Sequence, residues 1–240
     1  MRVVGSDTVS CTRGVDVEAG GKIASVTSPA PGPWSVIVPV KETNRGKSRL
    51  ATARADDRRE LALAFALDTV AVAVASEAVR RVVVVTNDPA ADAFVRLGAD
   101  VISDQPDAGL NPAFVHGAHH VAALDPSSGL IGLAGDLPAL TTEVLDMALS
   151  AAPPGRWFVG DVAGTGTTML GARGERLAPA FGPHSRARHR AGGAVELELA
   201  GLARLRRDVD TEVDLWDAVR LGVGVHTREV LSQHQLRQLA

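Results

Sequence analysis

Tyrosine is absent, aromatic residues make up 3% of the 240, and there is one cysteine, Cys11. An intramolecular disulfide is therefore impossible and a cysteine-based zinc site is excluded, which fits a reducing cytoplasm. An excess of one charge is also missing. The 25 Lys+Arg and 28 Asp+Glu leave a net charge of −3, too little for a field that attracts nucleic acid or an anionic membrane. The longest apolar run, Leu61 to Ala75, is broken by Asp68 and falls short of the ~20 residues that span a bilayer. The N-terminus carries Arg2 but no apolar segment before Gly5, Ser6 and Asp7, so it does not read as a secretory signal. A soluble cytoplasmic protein with no nucleic-acid or membrane partner is expected. What is plentiful is Ala, Val and Leu, within a 45% hydrophobic content that is enough for a large aliphatic core without staples.

Residues 1–33 mix Ser, Thr, Gly and charges without periodicity and end in Pro29, Pro31, Gly32 and Pro33, which reads as a disordered tail. A short edge strand around Val15 to Val17 is the alternative. From Trp34 the pattern changes, and residues 34–240 read as a single domain. Ser35–Val40 is a short apolar strand followed by a basic loop, Lys41 to Arg49. Asp57 and Glu60 have capping-box spacing for a helix reaching about Arg80. A second strand spans Arg81–Thr86. Asp88 then reads as an N-cap, with Pro89 opening a helix that ends at Gly98. A strand over Ala99–Ser103, a helix from Pro112 to Leu124 and a strand over Gly129–Ala134 complete four strand-loop-helix units. Later segments, Trp157–Asp161, Gly166–Leu170, a short strand near Leu205 and a helix opened by Thr211–Asp214, are looser. The alternation predicts an α/β fold with a mostly parallel twisted sheet flanked by helices, whose ligand site lies beyond the carboxyl ends of the strands.

The loops at those ends hold the unusual polar residues. Lys41–Ser48 ends in Gly-Lys-Ser but lacks the first glycine of a P-loop, so it fails that pattern. It still gathers Lys41, Arg45, Lys47 and Arg49, enough positive charge for a triphosphate, or else forms a solvated basic turn. Asp136 follows the fourth strand in Gly135-Asp-Leu-Pro138, where it can hold Mg²⁺ with a phosphate or cap the helix near Thr141. Asp208 and Asp210 would share one face of a strand, and two such carboxylates repel unless a cation lies between them. Gly164–Thr168, Phe181–Ser185 and the cluster Arg186, Arg188, His189, Arg190 suit an anionic group, or a solvated basic face. His116, His119 and His120 share a helix face but have no second ligand site, so zinc is rejected. Neither G-x-S-x-G nor G-x-G-x-x-G appears, against acyl-enzyme and dinucleotide chemistry.

In order along the chain, Val38-Pro-Val-Lys41 with Lys47-Ser-Arg-Leu50, Gly109-Leu-Asn111, Gly135-Asp-Leu-Pro-Ala-Leu140, Gly164-Thr-Gly-Thr167, Phe181-Gly-Pro-x-Ser185 with Arg188-His189, Gly193-Ala-Val-Glu-Leu197 and Asp208-Val-Asp-Thr211 form one pattern. It resembles the guanylyltransferases of deazaflavin coenzyme biosynthesis, the CofC/FbiD type, from Trp34 to about Val223. The tail lies outside it, which sets the expected start of the working protein later than Met1. The resemblance implies a nucleotidyltransferase fold, related to nucleotide-diphospho-sugar transferases and Rossmann-like in layout, and transfer of GMP from GTP to a phosphorylated three-carbon acid. It implies Mg²⁺ on Asp136, Asp208 and Asp210, with Asp136, Lys41 and Lys47 catalytic. It implies GTP held by Lys41, Lys47, Arg49, Asn111 and Gly135, and the acid held by Thr167, Gly182, Ser185, Arg188 and His189. Asn44-Arg-Gly46 departs from the small apolar residues common in this loop. Heavy use of Ala, Val and Arg resembles high-GC actinobacterial proteins, whose members of this family are expected to use phosphoenolpyruvate; 2-phospholactate and 3-phosphoglycerate offer the same two charged groups. Hand-off of product to the downstream deazaflavin transferase is a further expectation. A sugar-phosphate or pterin acceptor, and a non-catalytic GTP-binding module, are the competing readings.

Overall fold

The structure, a computed structural model, describes residues 33–41, 55–105 and 107–239. The tail expected over 1–33 lies, apart from Pro33, outside the described residues, as do Lys47 and Arg49. Strands β1 (Trp34–Pro39), β2 (Val79–Val85), β3 (Asp100–Ile102) and β4 (Gly129–Leu133) alternate with helices α1 (Ala55–Ala75), α2 (Ala91–Leu97) and α3 (Leu110–Leu124). The central ones are Val- and Ile-rich because strands covered on both faces need apolar side chains in both directions. Then follow α4 (Thr142–Ser150), β5 (Gly155–Gly160), β6 (Thr167–Arg173), α5 (Ser185–Ala191), β7 (Val195–Glu196), α6 (Ala203–Arg206), α7 (Glu212–Leu221) and α8 (Val225–Leu239).

One seven-stranded sheet has the order β3-β2-β1-β4-β6-β5-β7. β6 runs antiparallel to both β4 and β5, and every other pairing is parallel. The chain thus forms the expected mostly parallel α/β sheet. Side-chain alternation divides the core between its faces. Val36, Val38, Val82 and Val84 pack with Ala66, Val70 and Ala73 of α1 and with Leu145 and Ala148 of α4. Ile37, Val83 and Val85 pack on the other side with Ala113, Phe114 and Val121 of α3. A third cluster joins Leu61 and Phe65 of α1 to Leu215 and Ala218 of α7. Among the described residues no helix is long and apolar enough to cross a membrane.

Several local expectations change. Helix α1 already begins at Ala55, so Asp57 sits in its first turn rather than at the N-cap, and it ends at Ala75, letting β2 start at Val79. Asp88 does not cap α2; its carboxylate accepts the N–H of Ala90 at 2.8 Å in a turn that delays the helix to Ala91. Gly98 does end α2, in the left-handed conformation at φ 98°. The expected strand near Leu205 is the short helix α6, because Leu202 and Leu205, three apart, are both buried. Thr211 opens α7 with the anticipated reciprocal capping box to Asp214.

Candidate active site

The strand order reverses between β1 and β4, and a doubly wound sheet opens a crevice at that point, beyond the strands' carboxyl ends. β6 runs the other way, so its first residue, Thr167, arrives at the same end. There lies a cavity of about 710 Å³ lined by Lys41 after β1, Gly135 and Asp136 after β4, and Asp161 after β5. Thr167, the Phe181–Ser185 segment, Asp208 and Asp210 complete its wall. A larger cleft of about 830 Å³ lies between α3 and residues 174–179, but among the described residues it contains none of the expected site residues.

One wall is acidic. Asp136 does not cap α4, whose N-cap is Thr141. The carbonyl of Asp136 accepts the N–H of Val209 at 3.1 Å, which staples the 208–210 segment beside β4. That segment is a loop rather than the expected strand, yet the alternation survives: Val209 is fully buried while Asp208 and Asp210 both line the cavity. Burial, reinforced by the carboxylates of Asp136, Asp210 and Asp161, pushes the Asp208 carboxyl up to about 7. Such crowding is the condition a cation relieves. Among the described residues no three or more acidic, His or Cys side chains form a ready-made metal cage. The donors present, all oxygen, fit a hard divalent ion that fills the rest of its shell with water and substrate phosphates.

The facing wall is built on a braced loop. Gly182 takes φ +110°, a conformation that strains side-chain-bearing residues, and His184 follows at φ 57°. The Asn111 side chain grips the backbone of Phe181 twice, accepting its N–H at 2.7 Å and donating to its carbonyl at 3.0 Å. Arg188 donates to the same carbonyl at 3.0 Å, and the Phe181 ring stacks on Phe114 at 4.4 Å between centroids. Behind Thr167 stands His189, buried and bonded on both ring nitrogens.

Of the residues singled out in the sequence, Lys41, Gly135, Asp136, Thr167, Gly182, Ser185, Asp208 and Asp210 come together around one cavity. Asn111, Arg188 and His189 do not line it; each instead supports the Phe181 loop or Thr167 from behind. Phe181 and His184 line the cavity without having been assigned individual roles, and Asp161 was missed. The signal for Asp161 was present: like Asp136, it follows a glycine at the end of an apolar strand, Trp157–Gly160. Its carboxylate accepts the N–H groups of Thr165 at 2.9 Å and Gly166 at 2.8 Å, closing the turn into β6.

Residues 34–237 match the family described as guanylyl transferase CofC like. The chain belongs to the CofC-like guanylyl transferases. The matched span holds every described residue that lines the cavity. Within curated proteins, this CofC-like chain is 50% identical over 197 residues to the phosphoenolpyruvate guanylyltransferase of Thermomonospora curvata, covering 81% of this chain and 86% of that one. It is 52% identical over 198 residues to the enzyme of the same name from Streptomyces avermitilis, covering 81% and 92%. Among solved structures, a nucleotidyl transferase from Methanothermobacter superposes with TM-score 0.53 at 17% identity, over 79% of the CofC-like chain and 97% of its own. At that identity the likeness speaks for the fold, which is that of the nucleotidyltransferases.

Proposed function

We propose that this protein transfers GMP from GTP to the phosphate of phosphoenolpyruvate, giving enolpyruvyl-diphospho-guanosine and pyrophosphate for deazaflavin coenzyme synthesis. The observation that carries the reading is the single cavity in which Asp136, Asp208 and Asp210 face Thr167, Gly182 and Ser185. The names of the relatives at 50% identity and above supply the acceptor. The single cysteine fits a cytoplasmic setting.

An oxygen of the acceptor phosphate attacks the α-phosphorus of GTP in line; the bond to the bridging oxygen of the β-phosphate breaks, and pyrophosphate leaves with that electron pair. A phosphate monoester is already a competent nucleophile near neutral pH, so the chain's residues act by positioning and charge rather than as a general base. Asp136, with Asp208 and Asp210, would hold Mg²⁺, which when bound neutralises charge on the transferring and leaving phosphates. Lys41, at the end of β1, adds a positive charge at the triphosphate, and Lys47 and Arg49 belong to the same loop. Gly135, which lines the cavity beside Asp136, would present its backbone to the nucleotide. Ser185 and Thr167 offer hydroxyls to the acid, and Gly182 brings bare backbone close to it. The product, a mixed phosphoric anhydride, suits direct hand-off to the transferase that consumes it.

Pyrophosphate release from GTP and Mg²⁺, with phosphoenolpyruvate, 2-phospholactate and 3-phosphoglycerate in separate tubes and the downstream transferase present, tests the reading. Release with phosphoenolpyruvate, lost by about 100-fold or more in Asp136→Asn, is expected. Silence with all three acids overturns it.

A further inference from the structure

His189 is 3% exposed, lies outside the cavity lining, and is gripped from two sides. The N–H of Ala180 donates to Nε2 at 2.9 Å, and Nδ1 lies 2.9 Å from Oγ1 of Thr167. A backbone N–H can only donate, so Nε2 carries no proton, and the neutral ring must hold its proton on Nδ1. The Nδ1–H therefore donates to the Thr167 hydroxyl. That hydroxyl, having accepted, keeps its own O–H to give, and among the described residues no other hydrogen bond engages Oγ1. Phe158 and Phe181 pack against the imidazole, at 5.8 Å and 5.2 Å between centroids, and fix its plane.

We propose that His189 is a positioning residue that makes Thr167 an obligate hydrogen-bond donor into the acceptor half of the cavity, so that this point accepts an anionic oxygen and rejects a donor group. The proposal rests on the guanylyl-transfer reading above and assigns His189 a part in acceptor choice without contact to the acceptor. The polarity runs one way, from the Ala180 N–H through the ring to the Thr167 O–H. It also ties Thr167, the first residue of β6, to the loop that carries Gly182 and Ser185. Burial, with the guanidinium groups of Arg188 and Arg156 nearby, lowers the imidazole pKa to about 4, so the neutral ring persists at neutral pH. A doubly protonated ring would turn Nε2 into a donor facing a donor and break the bond to Ala180.

Two readouts test this. Nitrogen–proton correlation NMR of the histidines in the full, substrate-free chain at pH 7, with the His189 signal assigned by its loss in His189→Gln, should show the Nδ1–H tautomer. An Nε2–H tautomer or an imidazolium overturns the proposal. In steady-state kinetics with phosphoenolpyruvate, His189→Leu should lower kcat/KM for the acid by about 10- to 100-fold while the KM for GTP holds, as expected for a bond to a charged oxygen. His189→Gln, whose amide can accept from Ala180 and donate to Thr167, should recover most of the loss. In a Thr167→Val background, His189→Leu should cost less than about twofold more. Additive losses, or an equal rise in the KM for GTP, overturn the proposal; if His189→Leu does not fold, His189→Phe takes its place in the cycle. The tautomer is read without turnover. A wild-type chain silent toward every acid therefore sinks the reaction reading and the acceptor role with it, whereas the wrong tautomer in an active chain sinks only the role given to His189.

Discussion

The carboxylate of Asp68, in the middle of α1, accepts the backbone N–H of Thr227 at 3.0 Å, 159 positions along the chain, and that of His226 at 2.9 Å. A charge buried at 4% exposure on an apolar helix is thereby satisfied by the first N–H groups of α8, which have no partner within their own helix. Gly224 passes so close to this carboxylate that a Cβ there would overlap it.

Removing the cap should loosen α8 from α1. Asp68→Ala is expected to cost about 2–3 kcal/mol in urea unfolding, since it strands a buried donor at Thr227 and a half-buried one at His226, and Asp68→Asn, which keeps an acceptor, about half of that. Among the described residues none of α8 lines the cavity, so turnover at low temperature should be unchanged in both variants.

With the metal role proposed for it, Asp208 should trade stability against function. It is half-buried beside Asp136, Asp210 and Asp161, and burial together with their charges pushes its carboxyl up to about 7, a cost that a proton or a cation at Asp208 relieves. In EDTA at pH 8, Asp208→Asn should raise Tm by about 2–4 °C, the shift that ~1 kcal/mol produces in a chain of this size. The same variant should release pyrophosphate far more slowly than wild type. A lower Tm in EDTA would show that the carboxylate is structurally satisfied without a cation.

His189 gives the fold an acid limit. Its pKa falls from 6.5 to about 4 on folding. Above 6.5 the ring is neutral in both states and its contribution is complete. Between 6.5 and 4 the unfolded chain takes a proton that the fold refuses, so stability falls as pH falls, by up to roughly 3 kcal/mol. Urea unfolding at pH 7 and pH 4.5 should show a steeper loss in wild type than in His189→Gln, which has nothing to titrate there.

Gly171 makes room for an indole. Trp157 is fully buried, edge-on to Trp34 at 6.0 Å, and a Cβ at Gly171 would overlap the edge of its indole. Gly171→Ala should cost about 1–3 kcal/mol by overpacking. The loss should appear as a lower urea midpoint, with the Trp157 fluorescence environment altered.

The parallel half of the fold was legible because it is written in short-range signals. Val82–Val85 can form little but a buried strand, and Gly98 ends a helix by its own backbone freedom. What stayed hidden depends on partners far away. Asp68 reads as a break in an apolar run until α8 is placed against it, and the polar sequence of α8 gives no strong period of its own. Leu202 and Leu205 share a face only in a helical turn, but two apolar residues within a basic segment are too short a signal to read until packing buries both. In the site, carboxylates at strand ends were readable as positions, because strand order places them. Whether Asn111, Arg188 and His189 touch a ligand or brace a loop depends on side-chain direction, which motif spacing does not encode.

The antiparallel strand β6 also divides the labour of change within the cavity. Lys41 and Asp136 hang from β1 and β4, whose mutual register is locked by parallel pairing and by helices on both faces. Thr167 instead enters through a tight reversal, residues 161–166, closed by the Asp161 carboxylate. Altering the length of that reversal re-aims Thr167 and leaves the β1–β4 pairing intact. With the proposed roles of these residues, the choice of acid can drift over evolutionary time while the nucleotide end stays fixed.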